Sequence, residues 1–341
     1  MPDANRPADA PLVRSRPVTT NGVELHVDEC GEGPPVIFAH GFPELAFSWR
    51  HQLPALAAAG YHAVAPDQRG YGRSSRPAAI ADYDVAHLTG DLVGLLDDIG
   101  EDRAVFVGHD WGAMVVWALS LLHADRVAGV VGMSVPFLHR APMPPTELMR
   151  QVFGDAFFYI LYFQEPEVAD ADLGRDPATT MRRMLAGLSG DRAMDSLADA
   201  LAPDARGFVE RLPEPDNLPA WLHPDDLDRY VDAFTRTGFT GAINWYRNVD
   251  RNWELTEPVA DAQVAAPSLF VGGRLDPVLL MTPPDSQEPW LSDHRGTVLV
   301  EGAGHWVQQE APAEVNDALL GFLAGLDSPY GRPGGAARGS A

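Results

Sequence analysis

The sequence predicts an α/β fold: a mostly parallel sheet with helices on both faces, interrupted by an inserted helical segment. Short apolar runs alternate with helix-length stretches, the pattern of strands buried on both faces. The alternation breaks near residue 138, where a Pro-punctuated, acidic and helical stretch begins, and it resumes near residue 257. The core is therefore assigned to 17–137 and 257–327 and the inserted lid to 138–256, with disordered tails at 1–16 and 328–341.

The elements follow in order. Val36–Ala39 (VIFA) is a strand entering the loop HGFPE. Residues 48–59 read as a helix that stops at Gly60. His62–Ala65 is a strand before the turn-rich PDQRGYGRSS. Val85, Leu88, Leu92, Leu95 and Leu96 fall at helical spacing over 84–99, and Gly100 ends that helix. Ala104–Val107 is a strand, 112–123 a helix and Val127–Val131 a strand. After the insertion come Ser268–Val271, Thr297–Val300 and a last helix over 313–325. An insertion that starts just after a strand sits over the carboxyl ends of the sheet, the usual ligand side.

Composition excludes several functions. The 341 residues hold 48 acidic and 25 basic side chains, a net charge of −23, and every basic residue is Arg. Without lysine there is no Schiff-base chemistry and no P-loop phosphate cradle. The negative charge argues against nucleic acid and against anionic membranes as partners. The lone Cys30 forms no internal disulfide, and it makes no zinc site by itself. No apolar run approaches the ~20 residues of a membrane span, and the first twenty residues lack a secretory apolar region. A soluble cytoplasmic protein is expected. Oligomeric state is open, with a homo-oligomer compatible.

The chemistry concentrates in three loops. VFVGHDWGAMV (105–115) is a strand, a turn with glycines at 108 and 112, and a helix. This is the form of a nucleophile elbow with Asp110 in place of the common Ser. The plain alternative for Asp110 is a helix N-cap. Asp276, in GGRLDPV after the strand at 268–271, and His305, in EGAGHWVQQE after the strand at 297–300, follow in the order nucleophile, acid, histidine. Taken singly, Asp276 reads as a turn residue before Pro277 and His305 as a surface histidine. Together they fit a base held by a carboxylate. A carboxylate nucleophile suits an electrophilic sp³ carbon with a leaving group, so an epoxide or an alkyl halide is the expected substrate class.

HGFPE (40–44), DQRGYGRS (67–74), GHDWGA (108–113), NWYRN (244–248) and GHWVQ (304–308) together resemble the α/β-hydrolase-fold epoxide hydrolases, over roughly residues 17–327. The resemblance implies Asp110 as nucleophile and Asp276 with His305 as the acid and base of the relay. It implies two lid tyrosines that hold the epoxide oxygen, Tyr246 in NWYRN and Tyr159 in FYILYFQEP, with Tyr162 three residues away as the alternative. Phenols are suitable donors to a developing alkoxide. The resemblance further implies an oxyanion hole from the backbone N–H groups of Phe42 and Trp111, and a cis bond between Phe42 and Pro43. Phe42, Pro43, Trp111 and Trp306 are expected to line an apolar substrate pocket. His40 and Glu44 are assigned to loop support and His109 to structure. The implied reaction takes a small apolar epoxide and water to a vicinal diol, without cofactor or metal. Two other readings stand: a haloalkane or haloacid dehalogenase with the same triad, and a catalytically silent receptor on this fold. The lid stretch 168–235 departs from the family pattern, so no site residue is assigned there.

Overall fold

The computed structural model describes residues 11–190 and 200–326. Its sheet comprises β1 (Arg14–Thr20), β2 (Val23–Cys30), β3 (Pro35–Ala39), β4 (His62–Asp67), β5 (Ala104–His109), β6 (Val127–Met133), β7 (Val264–Gly273) and β8 (Leu291–Val300). The spatial order is β1-β2-β4-β3-β5-β6-β7-β8. β2 pairs antiparallel with both β1 and β4, and every other pairing is parallel. All six strands expected from the apolar runs are present. β1 and β2 are additional, and β1 corrects the tail boundary, because it starts at Arg14 rather than after residue 16. β1 lacks an apolar run because it is an edge strand, mostly exposed and carrying Pro17, which belongs at a sheet margin. The tail at 328–341 lies outside the described residues.

The central strands β3, β5 and β6 are buried along their whole length. Alternation sends Ile37, Phe106 and Val130 to one face and Val36, Phe38, Val105 and Val131 to the other. On the first face lie α2 (Val85–Asp98) and α3 (Trp111–Leu122), and on the second α1 (Gln52–Ala58) and a C-terminal helix, Pro312–Ala324. The five apolar residues expected on α2 are all buried, and Asp84 caps its start by accepting from His87 N–H at 3.0 Å.

Between β6 and β7 the regular elements are helical among the described residues. They are α4 (Pro145–Phe153), α5 (Tyr159–Tyr162), α6 (Val168–Gly174), α7 (Pro177–Gly187), α8 (Phe208–Arg211), α9 (Pro224–Thr237), α10 (Thr240–Tyr246) and α11 (Val249–Leu255). The chain closes with α12 (Val278–Met281), α13 (Val307–Glu310) and α14 (Pro312–Ala324). Ala39 aligns with Gly108, His109 with Met133, Met133 with Val271 and Gly273 with Val300. The loops carrying Phe42, Asp110, Asp276 and His305 therefore all leave the same edge of the sheet.

Candidate active site

Asp110 sits at the tip of the turn from β5 to α3 with φ 53 and ψ −120, a backbone conformation that L-residues seldom adopt. The flanking glycines permit the turn. A Cβ on Gly108 would overlap the Gly112 carbonyl, and one on Gly112 would overlap the carbonyl of Ala39. The carboxylate is held at both oxygens: Phe42 N–H donates to Oδ1 at 2.8 Å, and His305 Nε2 lies 3.6 Å from Oδ2. Trp111 follows at the head of α3.

The His305 ring is buried, with Nδ1 donating to Asp276 Oδ2 at 3.0 Å. Asp276 is itself fixed, since Val278 N–H donates to its Oδ1 at 2.9 Å. Burial opposes a charge on His305, but the carboxylates of Asp276 and Asp110 outweigh it and hold its pKa well above the ordinary histidine range.

Tyr246, at the end of α10, is buried among Phe42, Trp111 and Phe163, with ring centroids 5.4, 4.9 and 5.0 Å away. Tyr159, on α5, meets Tyr246 edge to face at 5.9 Å. Burial, and then the negative charge of Asp110, pushes both phenols above the ordinary tyrosine pKa, so they stay protonated donors. Tyr162 is different, because its hydroxyl donates to Asp172 at 3.2 Å, within the lid. The structure thus brings Tyr159 to Tyr246 and turns Tyr162 away from it.

The loop after β3 is cross-braced. The Phe42–Pro43 bond is cis. Gln68 N–H donates to His40 Nε2 at 3.0 Å, so Nδ1 carries the proton given to the Gly41 carbonyl at 2.9 Å. Glu44 accepts from Gly41 N–H at 3.0 Å and from the side-chain amides of Gln308 and Gln309 at 2.8 and 3.0 Å. Trp306 is wholly buried and donates its indole N–H to Leu185 O at 2.9 Å, bracing the His305 loop against α7.

Sequence reasoning missed one feature. His109 Nδ1 lies 2.6 Å from Glu44, and Nε2 lies 2.7 Å from the His305 carbonyl. Glu44 and that carbonyl lie at opposite nitrogens of one ring, so His109 bridges the loop after β3 to the His305 loop. Ser134 Oγ donates to the same carbonyl at 2.7 Å. The available signal was the pair of glutamines after GHWV, which end on Glu44. Among the described residues no three His, Cys, Asp or Glu side chains gather to hold a metal ion, and no helix is long and apolar enough to cross a membrane.

Comparison with known proteins agrees with this geometry. The family model described as "alpha/beta hydrolase fold" matches residues 34–312. The chain is 60% identical over 314 residues to Epoxide hydrolase A of Mycobacterium tuberculosis, covering 92% of this chain and 98% of that protein. It is 41% identical to Epoxide hydrolase 2 of Siraitia grosvenorii, covering 90% and 96%. The crystal structure of Epoxide Hydrolase A from Mycobacterium thermoresistibile superposes with a TM-score of 0.90 at 58% identity, covering 93% and 99%. With the sheet order, the Asp-bearing elbow and these relatives in agreement, the chain belongs to the α/β-hydrolase-fold epoxide hydrolase family.

Proposed function

We propose that this enzyme converts small apolar epoxides to vicinal diols through an ester on Asp110. The observation that carries the reading is the placement of two protonated phenols, Tyr159 and Tyr246, beside a carboxylate whose Oδ1 already accepts the Phe42 N–H. Oδ2 attacks an epoxide carbon and the ring C–O bond breaks. One phenol gives its proton to the departing oxygen while the other donates a hydrogen bond.

Esterification removes the Asp110 charge, and with it one of the influences that hold His305 protonated. His305 then loses its proton more readily, just as the phenolate left behind needs one. The neutral imidazole, steadied by Asp276, takes a proton from water, and the hydroxide adds to the ester carbonyl. Phe42 N–H stabilises the oxyanion on Oδ1, with Trp111 N–H as the proposed second donor. The bond from the carbonyl carbon to Oδ2 breaks, and the diol oxygen recovers the proton from His305. No step calls for a cofactor. A dehalogenase would need N–H donors for the departing halide, whereas the phenols of Tyr159 and Tyr246 suit a departing alkoxide that takes up a proton.

The experiment mixes His305→Gln rapidly with a terminal aryl epoxide and weighs the intact protein. Expected is a gain of one whole substrate mass, lost again in Asp110→Asn. A wild-type single turnover in heavy-oxygen water should leave the label in Asp110. No adduct, together with label in the diol, sinks the covalent route.

A further inference from the structure

Two phenols that share one oxygen must keep a fixed spacing, yet α5, which carries Tyr159, is a single turn. A helix that short does not hold itself together in water. α10, by contrast, is anchored to the core. Trp245 Nε1 donates to Arg69 O at 3.1 Å, and Asn248, just beyond the helix, donates to Ile80 O at 2.7 Å. Gly241 lies so close to the Gly70 backbone that a Cβ on either glycine would collide with the other residue.

Arg247, the residue after Tyr246, joins the two helices. Its Nε donates to Phe163 O at 3.1 Å, at the end of α5, and its Nη2 to Glu165 O at 3.2 Å. Nη1 donates to Asn244 Oδ1 at 2.9 Å, and both terminal nitrogens reach the Asp170 carboxylate of α6. Each of the five guanidinium N–H groups has an acceptor, and the side chain is only 4% exposed. A planar five-donor fork does this, whereas an ammonium on a flexible stem supplies three donors and no fixed plane. Gln164 adds a second tie on the same side, from Nε2 to Tyr246 O at 2.9 Å and to Ile160 O at 2.8 Å.

We infer that Arg247 is a positioning residue, which sets the spacing between the Tyr159 and Tyr246 hydroxyls by tying α5 to the core-anchored α10. The inference rests on the reading that both phenols bond the epoxide oxygen. It separates the two half-reactions, because ring opening uses the phenols while ester hydrolysis uses Asp110, His305 and Asp276.

The test follows the intact mass of the full-length enzyme by quenched flow with styrene oxide, comparing wild type with Arg247→Lys. Ester formation should slow at least tenfold, while ester hydrolysis stays within twofold of wild type. A merely structural role would slow both steps together or neither. Ester formation within twofold of wild type, or equal slowing of both steps, overturns the inference. If Arg247→Lys does not fold, Gln164→Leu carries the same test under the same criteria. A wild type that forms no ester overturns the proposed reaction instead, which keeps the two failures distinct.

Discussion

The carboxylate of Glu44 lies 2.6 Å from Nδ1 of His109, and both side chains are wholly buried. Removing one partner of such a pair leaves an uncompensated charge in the interior. Burial raises the carboxyl pKa, but the His109 charge and hydrogen bond, with Gly41 N–H, bring it down from 4.5 to about 2. A depressed carboxyl contributes stability above its unfolded pKa and loses it as pH falls through its folded pKa. Glu44→Gln should therefore lower the denaturant midpoint at pH 7, by an amount equivalent to roughly 3 kcal/mol. The gap from wild type should narrow as pH falls from about 4.5 towards about 2. A gap independent of pH would show that the charge on Glu44 is immaterial.

The three lid tyrosines should separate cleanly by substitution. Tyr162 donates to Asp172, so Tyr162→Phe should leave ring opening within about threefold of wild type. Replacing both Tyr159 and Tyr246 by Phe removes both acids and should slow ring opening by about 10³-fold or more. Steady-state diol formation with a terminal epoxide measures both. A large loss in Tyr162→Phe with a small one in Tyr159→Phe would reverse the assignment.

His305 owes part of its raised pKa to Asp110. Asp110→Asn keeps the shape and removes the charge, so the imidazole should titrate at lower pH in the variant. NMR titration of the His305 ring in both proteins reads this directly, and an unchanged or higher midpoint contradicts it. Hydrolysis of the ester, in which Asp110 is also uncharged, should accordingly rise with pH through that lower midpoint.

Gly41 lies against Asp110: a Cβ there would fall 2.5 Å from Asp110 Oδ1 and 2.8 Å from Cγ. Gly41→Ala should displace the carboxylate and cut ester formation by about 10²-fold, the scale of an ångström of misplacement. Its melting temperature should change little by comparison, because the clash is with the single side chain of Asp110 rather than with the packed core. Comparable losses of ester formation and of folded protein would argue that the loop itself had collapsed.

The fold was legible where strands are buried on both faces, because continuous apolar runs such as VIFA and AVFV admit few other readings. It was not legible at β1, where a strand paired on one side alone leaves a polar, Pro-bearing sequence. The cluster of Asp110, Asp276 and His305 was readable because each stands within three residues of a glycine just beyond a strand end. The choice between Tyr159 and Tyr162 was not, because on a one-turn helix it depends on the Asp172 acceptor ten residues further on. The Glu44–His109 pair was invisible for a related reason: residues 65 positions apart meet only through the alignment of β3 with β5.

The backbone at Asp110 carries a further consequence. With φ at 53, the chain bends there in a way that disfavours any Cβ, and such strain amounts to about 1–3 kcal/mol. Alanine normally makes a more stable protein than glycine, because it restricts the unfolded chain. At position 110 that ranking should invert, with Asp110→Gly melting above Asp110→Ala although neither can form the ester. The proposed nucleophile thus occupies the position where an inert glycine would rest more easily, so selection for durability alone would not keep a carboxylate here.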